Sequence, residues 1–188
     1  MNDFELFFGL GLKHIMSFDA LDHLLFLSAL TVVFSPKDIK KLLLLISVFT
    51  FSHTLALALT AYGAADIPSE YVETAILFTI LLTALVNVLI SDLRLLQKWH
   101  LLSVFFFGLI HGSGFAEAFL MSVSGTGKIA FPLLSFAVGI ETGQILFIFL
   151  FLSIIHVIFV KILKVDRRKL IRALSWMIIG FTLAMFKK

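Results

Sequence analysis

Residues 130–160 read AFPLLSFAVGIETGQILFIFLFLSIIHVIFV. Glu141 and His156 are the only ionisable side chains in that stretch, which belongs to an apolar run over 130–163. As a helix rising 1.5 Å per residue, residues 130–160 reach about 46 Å. The hydrocarbon core of a bilayer is about 30 Å thick. The run is continuous and does not alternate, so it reads as a helix and not as a strand. Pro132 falls in the expected first turn, where its missing N–H costs nothing.

The rest of the chain repeats this pattern. Apolar runs cover 20–34, 39–62, 70–91, 97–121 and 169–186, and a shorter one covers 4–16. Punctuation separates them: Ser35-Pro36-Lys37, Gly63 with Asp66 to Glu70, Asp92 to Arg94, the Gly/Ser-rich 122–128, and the basic 161–172. Of the 188 residues 60% are hydrophobic and 14% charged. The mean hydropathy is +1.08. These values exclude a soluble enzyme and a nucleic-acid module. The sequence predicts one all-α membrane domain over 1–188, with six spanning helices. The 4–16 segment, too short to span, is expected as a half-helix or re-entrant element at the outer face. The acidic start, with Asp3 and Glu5, makes a poor signal peptide, so the N-terminus is expected to be retained.

Lys and Arg gather on one side. Lys37, Lys40 and Lys41 lie there, as do Arg94, Lys98 and the cluster from Lys161 to Arg172. The opposite loops hold Asp66, Glu70 and Lys128. The positive-inside rule puts the basic loops in the cytoplasm and both termini outside. Lys13 and the terminal Lys187 and Lys188 run against that asymmetry. The expected location is a bacterial inner (cytoplasmic) membrane. Expected partners are the lipid bilayer and a metal ion; a homo-oligomer is left open.

Ionisable groups inside spans are costly and mark function. The candidates are Asp22, His23, His53, Glu73, His111, Glu141 and His156, with His14 and Asp19 beside them. His23 lies 13 residues from Pro36, His53 lies 12 from Lys41, and His111 lies 13 from Lys98. Counted along helices, all three stand about 18–20 Å above the inner face. Three separate spans therefore carry imidazoles at one height. His23, His53 and His111 are expected to converge in a pocket open to the outer face, with Glu141 lining it and His14 or Asp22 closing it. Gly108 and Gly112 flank His111, and Gly139 and Gly143 flank Glu141, a small-xxx-small spacing that favours close helix approach. His100 and His156 sit nearer the basic ends and read as structural. The cluster at 161–172 reads as a topology signal.

Without cysteine, an imidazole and carboxylate set suits Zn, Ni, Co, Cu or Mn. Asp22 and His23 are adjacent, so their side chains diverge by about 100° on a helix. One can ligate while the other orients it. No HExxH, GxSxG or nucleotide-binding loop is present. One reading is a zinc-type intramembrane hydrolase or transferase acting on a lipid or peptide. In it a metal-bound water attacks and Glu141 or Glu73 serves as general base. A faint parallel repeat relates 49–74 to 105–142, each a His-bearing helix followed by one carrying Val72-Glu73-Thr74 or Ile140-Glu141-Thr142.

Four strings resemble one family. They are the segment from Lys13-His14-Ile15 to Asp22-His23-Leu24, then Phe51-Ser52-His53-Thr54, Ile110-His111-Gly112-Ser113-Gly114, and Gly139-Ile140-Glu141-Thr142-Gly143-Gln144. In this order they resemble the HupE/UreJ family of membrane proteins over nearly the whole chain. The resemblance implies a compact helix bundle and a nickel or cobalt permease. By that likeness His14, Asp22, His23, His53, His111 and Glu141 are functional positions and the ion is Ni or Co; the donor set by itself leaves Zn open as well. Ile15 after His14, where hydrogenase-linked members carry Pro, and the single His111 in its motif resemble a divergent branch.

Overall fold

The computed structural model describes residues 2–17, 20–64, 67–90, 93–123 and 129–186. Among these there is no strand. Seven α-helices follow one another: α1 Asp3–Met16, α2 Leu21–Thr31, α3 Ile39–Ala61, α4 Ser69–Leu89, α5 Leu93–Val123, α6 Ala130–Ile154 and α7 Arg167–Met185. A 3-10 turn, Pro36–Asp38, leads into α3, and α6 continues as a π-helix over Ile155–Ile162. Asp19, Asp66, Lys128, Lys187 and Lys188, which enter the charge reading, lie outside the described residues.

The expected all-helical architecture is present. Four helices are long and apolar enough to cross a membrane: Pro36–Ala61, Ser69–Leu89, Trp99–Val123 and Ala130–Ile162. The structure departs from the expected six at both ends of the chain. α7 has 19 residues, but its first turns carry Arg167, Arg168, Lys169 and Arg172. The expected first span, 20–34, is helical only over the 11 residues of α2. That is about 16 Å of rise, half a bilayer core.

α1 and α2 belong together. Asn2 and Glu5 form a reciprocal cap that starts α1, with the Glu5 amide donating to Asn2 Oδ1 at 2.8 Å and the Asn2 amide to Glu5 Oε2 at 3.2 Å. Phe7, Gly11 and Ile15, one turn apart, form its buried stripe. That stripe packs on α6: Gly11 against Phe136 and Ile140, Gly139 against Phe8 and Leu12, Gly143 against Ile15. The residue numbers rise together, so α1 and α6 run parallel. The end of α2 meets α6 again further along, where Val32 and Phe34 line a small cavity with Leu152 and Ile155. α1 and α2 therefore follow α6 in one direction, as two halves of an interrupted helical path. The 4–16 segment is the short helix α1, packed against α6. Packing onto α6, which the apolar pattern alone does not encode, gives it a partner along its length.

A second glycine seam joins α3 and α5. Gly108 rests on Phe49 and Ser52, and Gly112 on His53 and Ala56, so these helices are also parallel and close. This agrees with the faint repeat. At the basic end the chain is tied by side chains: Arg167 Nη2 donates to the Val33 carbonyl at 2.9 Å and Arg168 Nη1 to the Ile90 carbonyl at 3.2 Å. Asn87 of α4 donates to the Ala29 carbonyl of α2 at 2.7 Å.

Candidate metal centre

The interruption between α1 and α2 places chemistry in the interior. His14 stands in the last turn of α1. Asp22 and His23 open α2. His53 arrives from α3 and His111 from α5, held close by Gly112 on the His53 backbone. The rings form one cluster. His14 and His23 have centroids 4.5 Å apart, His14 and His53 5.7 Å, His23 and His53 6.0 Å, and His23 and His111 5.2 Å. His23, His53 and His111 are buried, at 4%, 0% and 1% exposure.

Two hydrogen bonds orient this set. His23 Nδ1 lies 3.1 Å from Asp22 Oδ1, so its N–H points at the carboxylate and Nε2 keeps the lone pair. His111 Nε2 lies 3.1 Å from Thr79 Oγ1, and that hydroxyl donates to the Ile76 carbonyl at 2.7 Å. Thr79 therefore accepts from His111, which leaves Nδ1 with the lone pair. Five other imidazole nitrogens have no partner among the described residues: His14 Nε2, His23 Nε2, His111 Nδ1 and both nitrogens of His53. A buried polar atom left unsatisfied costs about 1–3 kcal/mol. Five in one place mark a site built for a guest.

A family model described as HupE / UreJ protein matches residues 1–187. The chain belongs to this family. Among curated proteins and solved structures, none matches it.

In this HupE / UreJ protein two overlapping groups have ligand spacing. Donor atoms of His14, His23 and His53 all lie within 4.8 Å of one another, as do those of Asp22, His23 and His111. Two ligands of one ion, each at about 2.0–2.2 Å, are at most about 4.4 Å apart. That limit holds for ligands on opposite sides of the ion; at tetrahedral angles they stand about 3.3–3.6 Å apart, so the present spacing needs at most about 1.5 Å of closure. Neutral imidazoles with one carboxylate form a borderline donor set, suited to late first-row divalent ions. The donors therefore fit such a metal.

The cluster forms one wall of a cavity of about 830 Å³, which His14, Asp22, His23 and His111 line. His53 is not among the lining residues and lies behind the others. Glu73 of α4, a candidate from sequence, lines this cavity and is exposed.

Glu141 is placed elsewhere. It was expected to line the pocket, but it does not. Its carboxylate accepts from the Ser47 hydroxyl of α3. Ser47 is six residues from His53, about 9 Å along the helix. One turn on, Thr50 donates to Gln144 Oε1 at 2.9 Å. The physical reason is azimuth. Gly139 and Gly143 are spent on α1, so the face of α6 carrying Glu141 turns toward α3, below the imidazoles. His100 is buried against Phe34, 6.3 Å ring to ring, away from the cluster.

Two residues of the site escaped sequence reasoning. Phe115 packs 4.1 Å from the His14 ring, and Thr79 orients His111. Thr79 had a readable signal, because Val72, Ile76, Thr79 and Thr83 share one helical stripe that is buried. A hydroxyl on a buried stripe needs a partner.

Proposed function

We propose that this protein is a transition-metal permease of the nickel or cobalt type, whose cargo rests on the His14, His23, His53 and His111 cluster. The observation that carries this is the set of five unpartnered imidazole nitrogens, contributed by four helices of a HupE / UreJ family membrane protein. The cation is the substrate. It satisfies the lone pairs that the protein leaves open.

In this reading α1 and α2 form one crossing, broken where the ion binds. Together they rise about 37 Å, enough for a 30 Å core. With α3 to α7 this makes six crossings, both termini outside and the basic loops in the cytoplasm of a bacterium. Interrupted helices meeting near the middle of the bilayer are a recurrent device of secondary transporters. The Thr50–Gln144 and Ser47–Glu141 pairs then serve as polar steps on the basic side of His53. Rocking of the glycine-packed pairs α1–α6 and α3–α5 exposes those steps to the inside.

The test is uptake of nickel or cobalt into proteoliposomes, with binding measured on the same preparation. Wild-type protein is expected to bind and transport. His23→Ala and His111→Ala are expected to lose at least about 10-fold in affinity and to lose transport, with helicity unchanged. One tightly held, non-exchanging ion without uptake overturns the permease and leaves the metal-dependent hydrolase.

A further inference from the structure

The outer cavity is larger than an ion requires. A cation with six waters fills about 180 Å³, at about 30 Å³ per water. The cavity measures about 830 Å³, within the roughly 300–1,000 Å³ range of sites for small organic ligands. Much of its wall is apolar, with Leu10, Leu77, Phe115 and Met185 on four different helices. Such a wall offers nothing to a hydrated cation.

Its charged lining is mixed: beside the carboxylates of Asp22 and Glu73 it carries the ammonium of Lys13. Mouths that select cations carry acidic rings. Here Lys13 of α1 and Glu73 of α4 both line the cavity, and both are exposed while His23 and His111 behind them are buried. Neither Lys13 nor Glu73 makes an ion pair among the described residues. One ammonium and one carboxylate, both free, stand at the rim of a partly apolar chamber with metal ligands in its wall.

We infer that the cavity receives the metal as a complex with a small amino acid, the carboxylate meeting Lys13, the amino group meeting Glu73 and the metal facing the imidazoles. This rests on the permease reading above. In such a chelate one carboxylate oxygen and the amine nitrogen hold the ion. The second carboxylate oxygen remains free to accept from an ammonium, and the coordinated amine keeps N–H donors for a carboxylate. The amino acid's side chain occupies the apolar wall. No bond of the amino acid is broken. The imidazoles fill the metal's remaining positions, and the amino acid stays bound until the ion moves inward.

The test is equilibrium dialysis of the full chain in lipid nanodiscs against nickel and L-leucine carrying different radiolabels. Both labels are expected to be retained together, with at least one amino acid per metal. Lys13→Glu, an exposed change, is expected to lower amino-acid retention about 10-fold, the loss of one charge-assisted contact, while nickel given alone still binds. Nickel–citrate is expected not to be retained as a complex. Metal held without amino acid, or citrate retained as well as leucine, overturns the chelate and leaves the permease standing. Retention of neither label, with nickel alone also unbound, overturns both.

Discussion

The His14 and His23 rings lie edge to face, 4.5 Å apart, across the break between α1 and α2. Nine positions separate them in sequence, and they close one site because the two half-helices follow the same neighbour, α6. Substitution on either side of the break is therefore expected to act on the same ion. His14→Ala and His23→Ala should each weaken binding at least about 10-fold. The double variant should lose little more than either alone, because residues sharing one ligand are not additive. Titration calorimetry with nickel checks this, and full additivity would count against a shared site.

Asp22 and Thr79 orient ring nitrogens without needing to touch the ion. Asp22→Asn and Thr79→Val should lower metal affinity about 10- to 100-fold. Thr79→Ser keeps the acceptor and should restore most of it. Thermal stability without metal should change far less than affinity, so the two readouts together separate orientation from folding.

The glycines of the two seams differ from the others. A methyl at Gly11 or Gly139 overlaps the carbonyl of Phe136 or Phe8, and one at Gly112 overlaps that of His53. Gly11→Val, Gly139→Val and Gly112→Val should each separate a helix pair and abolish monodisperse protein in size-exclusion chromatography. Gly9 and Gly180 meet nothing within 4 Å. Gly9→Ala and Gly180→Ala should be tolerated or stabilise by about 0.5–1 kcal/mol through helix propensity.

Arg167 holds the Val33 carbonyl just past the end of α2. A hydrogen bond from a charged donor contributes about 1.5–3 kcal/mol. Arg167→Ala should lower the melting temperature in detergent and loosen the inner end of α2 in hydrogen exchange. Arg167→Lys should recover part of the loss, since one ammonium can still reach the carbonyl without the planar fork.

The proposed orientation is open to single-cysteine labelling, because the chain has no cysteine of its own. An impermeant reagent on whole cells should label Ala64→Cys and spare Lys164→Cys. The reverse pattern would place the cavity on the cytoplasmic side.

The residues alone determine what is linear along the chain. Apolar run length and the absence of alternation decide that 39–62, 70–91, 97–121 and 130–163 are long membrane-type helices, because the bilayer leaves the backbone no other partner. Axial height also follows from counting, at 1.5 Å per residue, which is why His23, His53 and His111 could be matched before any fold was known. Rotation about each helix axis and the pairing of helices are different. They depend on which faces interlock, and that is a property of two surfaces at once. The parallel course of α1 and α6 comes from Gly11 meeting Phe136 while Gly139 meets Phe8. That contact brings His14 into the cluster and turns Glu141 away toward Ser47. It also makes two half-helices out of what the hydropathy pattern reads as a span and an appendage. Only the tertiary structure decided these points, because side chains equal in depth can face each other or face apart until the packing of their backbones chooses.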